Sequence, residues 1–376
     1  MRSSKAGLWS LVLGTALLPW PLRVRAAGQI ATNPFQFLFI DGNARATGMG
    51  GAYTALAFDS NALLYNPAGL GLADRYEGTY MHHDAAHNLT QEYFGACVKQ
   101  GFGLNGIYRT FGAIPKTTLD DPSGAHLGHF TIMDLALGLG YGKEILPNLG
   151  FGVGYKYVRE VIDDVGANSH AVDLGLLFLP RPRFSLAFAA QNLGPTFRYH
   201  GASENLPLNL RWGAAYGFDL LGAPFTAAID GIKQPGDRTN MSAGMETVVG
   251  GHLALRIGYS SRNDSGPGLT GGAGVRYKDF SFDYAVAPNG SLGWSHRYGM
   301  TFRWRGAGPK DGSGEDWPDY KPAAVKLKPA PDANAVPKGV RRGARPGIEF
   351  AAPAKVEPPA PPEDRPARPK RAPRRR

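Results

Sequence analysis

Residues 294–304 carry the pattern that most limits what this chain can become. Trp294, His296, Tyr298, Met300, Phe302 and Trp304 alternate with Ser295, Arg297, Gly299, Thr301 and Arg303. A period of two places one set on each face of a β-strand. The same alternation recurs upstream. Phe280, Phe282, Tyr284 and Val286 oppose Ser281, Asp283 and Ala285, and Leu253, Leu255, Ile257 and Tyr259 oppose Ala254, Arg256, Gly258 and Ser260. Fourteen such segments follow one another, near 76–84, 88–98, 101–110, 129–142, 149–162, 169–179, 183–193, 208–219, 224–232, 238–249, 252–261, 268–278, 280–287 and 294–304. The first two alternate least cleanly.

One face of these strands is large and apolar. The other is Gly, Ala and Ser with charges, namely Lys156, Arg211, Glu246, Arg256, Arg276, Asp283 and Arg297. A soluble sandwich would bury the apolar face. A strand that meets lipid turns it outward and must close its ladder, because no water is there to satisfy an open edge. The connections agree. Short turns at Gln100, Glu144–Asn148, Pro180–Pro182, Leu220–Ala223, Gly250-Gly251 and Asp279 take turns with longer pieces at 111–128, 163–168, 194–207, 233–237, 262–267 and 288–293. Outer-membrane barrels have short periplasmic turns, longer external loops and an even strand number. No stretch reaches the ~18–20 apolar residues of a membrane helix, whereas a barrel strand needs only ~9–11, half of them apolar. The pattern therefore predicts an all-β fold, a transmembrane 14-stranded antiparallel β-barrel over 76–304.

The ends differ from the middle. Residues 1–27 read as a signal peptide: Arg2 and Lys5, an apolar core from Gly7 to Leu18, and Val24-Arg25-Ala26 for cleavage near 26–27. Residues 305–376 hold 15 of the chain's 30 prolines, and 17 Lys/Arg against 9 Asp/Glu. That composition predicts a disordered, basic, Pro-rich tail on the periplasmic side, either a spacer or a binder of an anionic periplasmic partner. The tail supplies +8 of the net charge of +10, so the bulk pI is no sign of nucleic-acid binding.

Between signal and barrel lies 28–75, rich in small residues. A wide barrel with small lumenal residues leaves space, and this segment is the available filler: an N-terminal hatch, or plug. Gly48, Gly50, Gly51, Asn61, Asn66, Pro67 and Gly69 are its candidate packing and gating positions. A phosphate-binding Gly-x-Gly-Gly would need a βαβ unit, which the flanks lack. The lumenal charges, with Glu160 and Asp173, read as a balanced network that holds the plug rather than an anion-selective pore.

Other chemistry is set aside. His82-His83 and His87 lack a carboxylate or cysteine frame for a metal, Asp120-Asp121 and Asp163-Asp164 read as solvated loop turns, and the Asn-x-Ser/Thr matches at Asn88, Asn240, Asn263 and Asn289 read as loop polarity. A single cysteine, Cys97, excludes an internal disulfide. No hydrolase elbow, Walker loop or zinc-protease motif occurs. No enzyme, cofactor or metal is expected.

The run from Ala44 to Ala55, with Asn61-Ala62-Leu63-Leu64-Tyr65-Asn66-Pro67-Ala68-Gly69-Leu70, resembles the N-terminal hatch of the PorV/PorQ family of outer-membrane proteins, itself related to FadL/TodX-type transporters. The resemblance covers about thirty residues and implies a 14-stranded barrel, and the even strand number with its alternating loops places both termini in the periplasm. It implies an accessory of type IX-like protein secretion or surface attachment, with secreted or envelope proteins as partners. The alternative it implies is FadL-like passive transport of a hydrophobic ligand, a long-chain fatty acid or hydrocarbon, across the outer membrane. The basic tail departs from the family pattern.

Overall fold

In the computed structural model, residues 34–85, 88–124, 126–199, 202–262, 266–304, 317, 318 and 321 are described. The expected signal peptide of 1–27, residues 28–33, His87, Asn263 and, apart from those three positions, the tail of 305–376 lie outside them.

Each alternating segment pairs with the next in antiparallel sense, by short turns at one end and by mostly longer connections at the other. The strands are β1 (Tyr76–Ala85), β2 (Leu89–Cys97), β3 (Phe102–Thr110), β4 (Ile132–Leu146), β5 (Leu149–Ile162), β6 (Val165–Arg181) and β7 (Phe184–Leu193). They continue as β8 (Asn209–Leu220), β9 (Ala223–Lys233), β10 (Asn240–Val249), β11 (Leu253–Ser260), β12 (Leu269–Tyr277), β13 (Phe280–Pro288) and β14 (Trp294–Trp304). All pairs are antiparallel, and β14 returns to β1 with Tyr76 opposite Trp304 and Asp84 opposite His296. The barrel is closed, so no edge is left unpaired. No described helix is long and apolar enough to cross a membrane.

Parity sorts the side chains as lipid requires. On β4, Leu137 and Leu139 are 51% and 61% exposed on the outer face while Ala136 is buried. On β14, Tyr298, Met300 and Phe302 face out, and Ser295, Arg297 and Thr301 are buried. The outer face is a continuous apolar belt around the wall.

Two connections differ from the sequence reading. Strand β4 runs on to Leu146 through a bulge between Glu144 and Leu146, which leaves Pro147 and Asn148 as the turn. The piece at 163–168 is almost all strand. Ile162 pairs with Val165, Val161 with Gly166 and Glu160 with Ala167, so only Asp163 and Asp164 turn, Asp163 with φ 57°. The β-branched Val161, Ile162 and Val165 carry the ladder to its tip, with Val161 and Ile162 also paired to Met133 and Ile132 of β4, which offsets any loop tendency of the Asp pair. The other connections at that end include 111–131, 194–208 and 261–268.

Residues 34–75 lie inside the barrel. They form a 3-10 turn (Gln36–Phe39), helix α1 (Ala44–Gly48), helix α2 (Ala62–Tyr65) and a second 3-10 turn (Pro67–Gly71). Helices of four and five residues cannot stand alone in water. Here caps and wall contacts hold them. The Asn43 side chain accepts from Ala46 N at 2.9 Å, and the Asn66 side chain accepts from Ala68 N at 3.1 Å with Pro67 in the first helical position. Tyr53, Tyr65, Phe35, Phe37 and Met49 are fully buried.

Candidate functional site

The interior is a contact between small residues on both sides. Gly50 has φ +70°, and a Cβ there would sit 2.4 Å from the Tyr259 carbonyl oxygen on β11. The wall answers with Gly258, whose Cβ would lie 2.1 Å from Gly50 N. On the far side Pro67 presses on Gly152 of β5, where a Cβ would lie 2.2 Å from the Pro67 carbonyl group. Glycine permits both the positive φ and the backbone-on-backbone approach.

The other positions named from the sequence join the same packing. Gly48 faces Gly272 and Arg256, and Gly51 (φ +82°) sits against the Asp41 carboxylate. Gly69 has the Ala57 carbonyl oxygen where a Cβ would go, at 1.5 Å. Asn66 donates through Nδ2 to the Leu176 carbonyl on β6 at 2.9 Å. Asn61 is buried and donates its backbone N–H to Asp59 Oδ1 at 2.9 Å, while its own Oδ1 has no hydrogen-bond partner.

Charges fasten this packing. Glu246 on β10 takes Arg45 of α1 bidentately, at 3.0 and 2.6 Å, and is shared by Arg256 at 2.5 Å and Arg276 at 3.5 Å. Arg256 also reaches Asp283 at 2.7 Å. Arg211 on β8 donates to Thr54 Oγ1 at 2.9 Å and to Asp230 on β9 at 3.1 Å, and Asp230 also accepts from Tyr53 N at 3.1 Å and Thr54 N at 2.9 Å. Lys156 instead stays within the wall, on Asp173 at 2.9 Å and Asn192 at 2.6 Å. Glu160 accepts from Phe35 N at 2.9 Å. Bidentate, charge-assisted bonds of this kind fix geometry, and removing one partner of a buried pair is costly because the other charge is left unpaired.

Sequence reading missed Arg45, Thr54 and Asp230. The parity of β9, with Thr226, Ala228 and Asp230 alternating inward, was the signal for the last. Nothing in the sequence marks Arg45 as a partner of Glu246, 201 positions away.

Above this packing, at the end with the longer loops, is a cavity of about 320 Å³. Its floor is Ile40, Asp41, Thr47 and Gly50 of the opening segment, and its wall includes Leu89, Ala287, Arg262 and Arg297. Arg297 is 7% exposed, donates through Nη1 to Ser295 Oγ at 2.8 Å and through Nε to the Asp41 carbonyl oxygen at 3.3 Å. Arg262 donates to the Phe39 carbonyl oxygen. Among the described residues neither guanidinium has a carboxylate within ion-pair distance, whereas Arg45, Arg109, Arg211, Arg256, Arg276 and Arg303 all do. Two guanidinium groups and the Asp41 carboxylate leave the cavity with an excess of positive charge beside apolar Ile40, Leu89 and Ala287.

Histidines 82 and 83 do not converge. Alternation sends His82 outward to Glu92, at 2.7 Å, and His83 inward to Ser295 Oγ, at 2.8 Å. Among the described residues no cluster of three or more His, Cys, Asp or Glu is arranged to hold a metal.

No protein-family model matches the chain, and none of the curated proteins matches it. Solved structures of similar architecture include the toluene transporter TbuX of Ralstonia pickettii, at 14% identity and a TM-score of 0.49, covering 70% of this chain and 98% of that one. A FadL homologue of Pseudomonas aeruginosa aligns at 12% identity and a TM-score of 0.42, covering 69% and 96%. The porin KdgM aligns at 10% identity and a TM-score of 0.35, covering 61% and 99%. At these values the likeness is one of barrel fold and says nothing of cargo.

Proposed function

We propose that the barrel is a passive outer-membrane route for small amphipathic molecules, each with an apolar body and one acidic group. The long-loop end faces outward and the short-turn end, with both ends of the barrel sequence, faces the periplasm. The observation that carries this reading is the pair Arg262 and Arg297, with no carboxylate within ion-pair distance among the described residues, beside apolar side chains in a cavity floored by the opening segment. Buried charges are ordinarily paired, and two guanidinium groups that share the single nearby carboxylate of Asp41 leave the cavity with positive charge in excess, which suits an anionic ligand. A volume near 320 Å³ lies at the small end of ligand pockets, roughly 300–1,000 Å³. Passage requires the plug to shift, and Gly48, Gly50, Gly51, Asn61, Asn66, Pro67 and Gly69 are the contacts that would change. Of the two roles implied by the PorV/PorQ resemblance, the secretion accessory rests on the motif alone.

Binding of a long-chain fatty acid and of the alcohol of equal length to the protein in nanodiscs tests the proposal. The acid binds more tightly. The double substitution Arg262→Ala/Arg297→Ala weakens it by roughly tenfold or more, as loss of charge-assisted hydrogen bonds does, and leaves the alcohol unchanged. Equal affinity of acid and alcohol, or no effect of the double substitution, overturns it.

A further inference from the structure

Beyond the last strand the chain touches the barrel again, inside its short-turn mouth. The Trp317 indole lies against Phe58 of the opening segment, ring centroids 5.7 Å apart. Half-buried, it packs against the buried cluster of Leu56, Phe58, Leu177, Leu179 and Ala215. Room for it comes from Gly217, an inward position of β8, where a Cβ would stand 3.0 Å from the indole Nε1. Four residues on, Asn148 clasps the backbone of Lys321. Its Nδ2 donates to the Lys321 carbonyl oxygen at 2.7 Å and its Oδ1 accepts from Lys321 N at 2.7 Å. Asn148 holds φ 65°, a left-handed conformation that asparagine tolerates better than most residues. The Lys321 ammonium also pairs with the Glu144 carboxylate.

We infer that Trp317 and the clasped Lys321 form a latch that holds the plug segment shut from the short-turn side. The geometry separates two tasks. The amide clasp binds backbone only, so it fixes where the chain lies whatever the side chain at 321. The indole closes the way out, since Phe58 cannot move toward the short-turn mouth until Trp317 leaves. The contact of Trp317 with Phe58 is thus a hold on the plug separate from its bonds to the wall, among them Arg45–Glu246 and Thr54–Asp230. This goes beyond the transport reading, because the latch acts on the plug whether or not any solute passes.

Hydrogen–deuterium exchange of the full chain in nanodiscs reads it directly. In Trp317→Ala, amides of 54–60 exchange about tenfold faster, the equivalent of ~1.4 kcal/mol, in the range of a buried aromatic pair. Trp317→Phe restores most of the protection. Asn148→Ala gives a smaller rise, and Lys321→Ala leaves the rate unchanged because the clasp uses its backbone and an exposed ion pair contributes little. Amides of 44–51, held by Arg45, keep their protection in all variants. Unchanged exchange at 54–60 in Trp317→Ala, or an equal rise at 44–51, overturns the latch. Neither result depends on ligand binding at Arg262 and Arg297.

Discussion

Arg45 of helix α1 and Glu246 of strand β10 meet in a two-point ion pair, Nε to Oε2 at 3.0 Å and Nη2 to Oε1 at 2.6 Å. The opening segment and the wall are thereby joined by a bond whose wall partner is already satisfied by Arg256 and Arg276.

Removing the opening segment's half of that pair therefore leaves no buried orphan. Arg45→Ala is expected to loosen α1 by about 2 kcal/mol, below the ~3–5 kcal/mol of breaking a buried pair, because Glu246 stays paired. Glu246→Gln leaves Arg45, Arg256 and Arg276 facing a neutral amide, and destabilises the whole barrel more. Exchange rates over 44–48 and the temperature of the folded-to-unfolded gel shift distinguish the two. Equal effects on both measures would show that the pair does not join two separable parts.

Gly258→Val is expected to expel the plug while the barrel still forms. A Cβ at 258 would lie 2.1 Å from Gly50 N, yet valine suits a strand. Gly271 is the control, since a Cβ there meets nothing within 4 Å. Liposomes with Gly258→Val swell faster in small sugars than the parent, and those with Gly271→Val do not. A barrel as tight as the parent with valine at 258 counts against the packing described.

Asp59 gives the opening segment a pH dependence. Burial, and next the charge of Glu77, push its carboxyl up from 3.8 to about 6. A carboxyl whose folded value is raised binds its proton more tightly in the folded state. Its contribution is full below the unfolded value and is lost as pH climbs through about 6. The parent is expected to lose stability between pH 4 and pH 7 relative to Asp59→Asn. Urea midpoints of the two that stay parallel across this window would exclude the effect.

Leu139→Arg is expected to cost roughly 2–4 kcal/mol, as cationic substitutions on the lipid face of a barrel do. Leu139 is 61% exposed on the outer face, between Leu104 and Tyr155 of the adjoining strands. Leu221, in the turn after β8 and 98% exposed, is expected to tolerate arginine within ~0.5 kcal/mol, as surface sites usually do. Urea titrations in liposomes compare them. A similar cost at both sites would place the apolar belt elsewhere.

The barrel was legible because its physics is local. Side-chain direction alternates along any strand, so Tyr298, Met300 and Phe302 declare a lipid face without knowledge of any partner. The same parity assigns Arg211, Glu246 and Arg256 to the other face. Where the local rule is weak, reading slipped. Asp163-Asp164 looks like a loop by composition, but Val161, Ile162 and Val165 carry the hairpin to a two-residue turn. Trp317 sits in a stretch whose proline and charge content hides a single anchoring aromatic.

The sequence by itself determined the number of strands, their faces and the small-residue character of the segment that precedes them. Only the tertiary structure decided which glycine meets which, that Arg45 finds Glu246, that Arg262 and Arg297 line one cavity, and that Trp317 comes to rest against Phe58. Periodicity is set by the geometry of one strand. These contacts join residues far apart in the chain, and they come into register only when fourteen strands have closed around the segment they enclose.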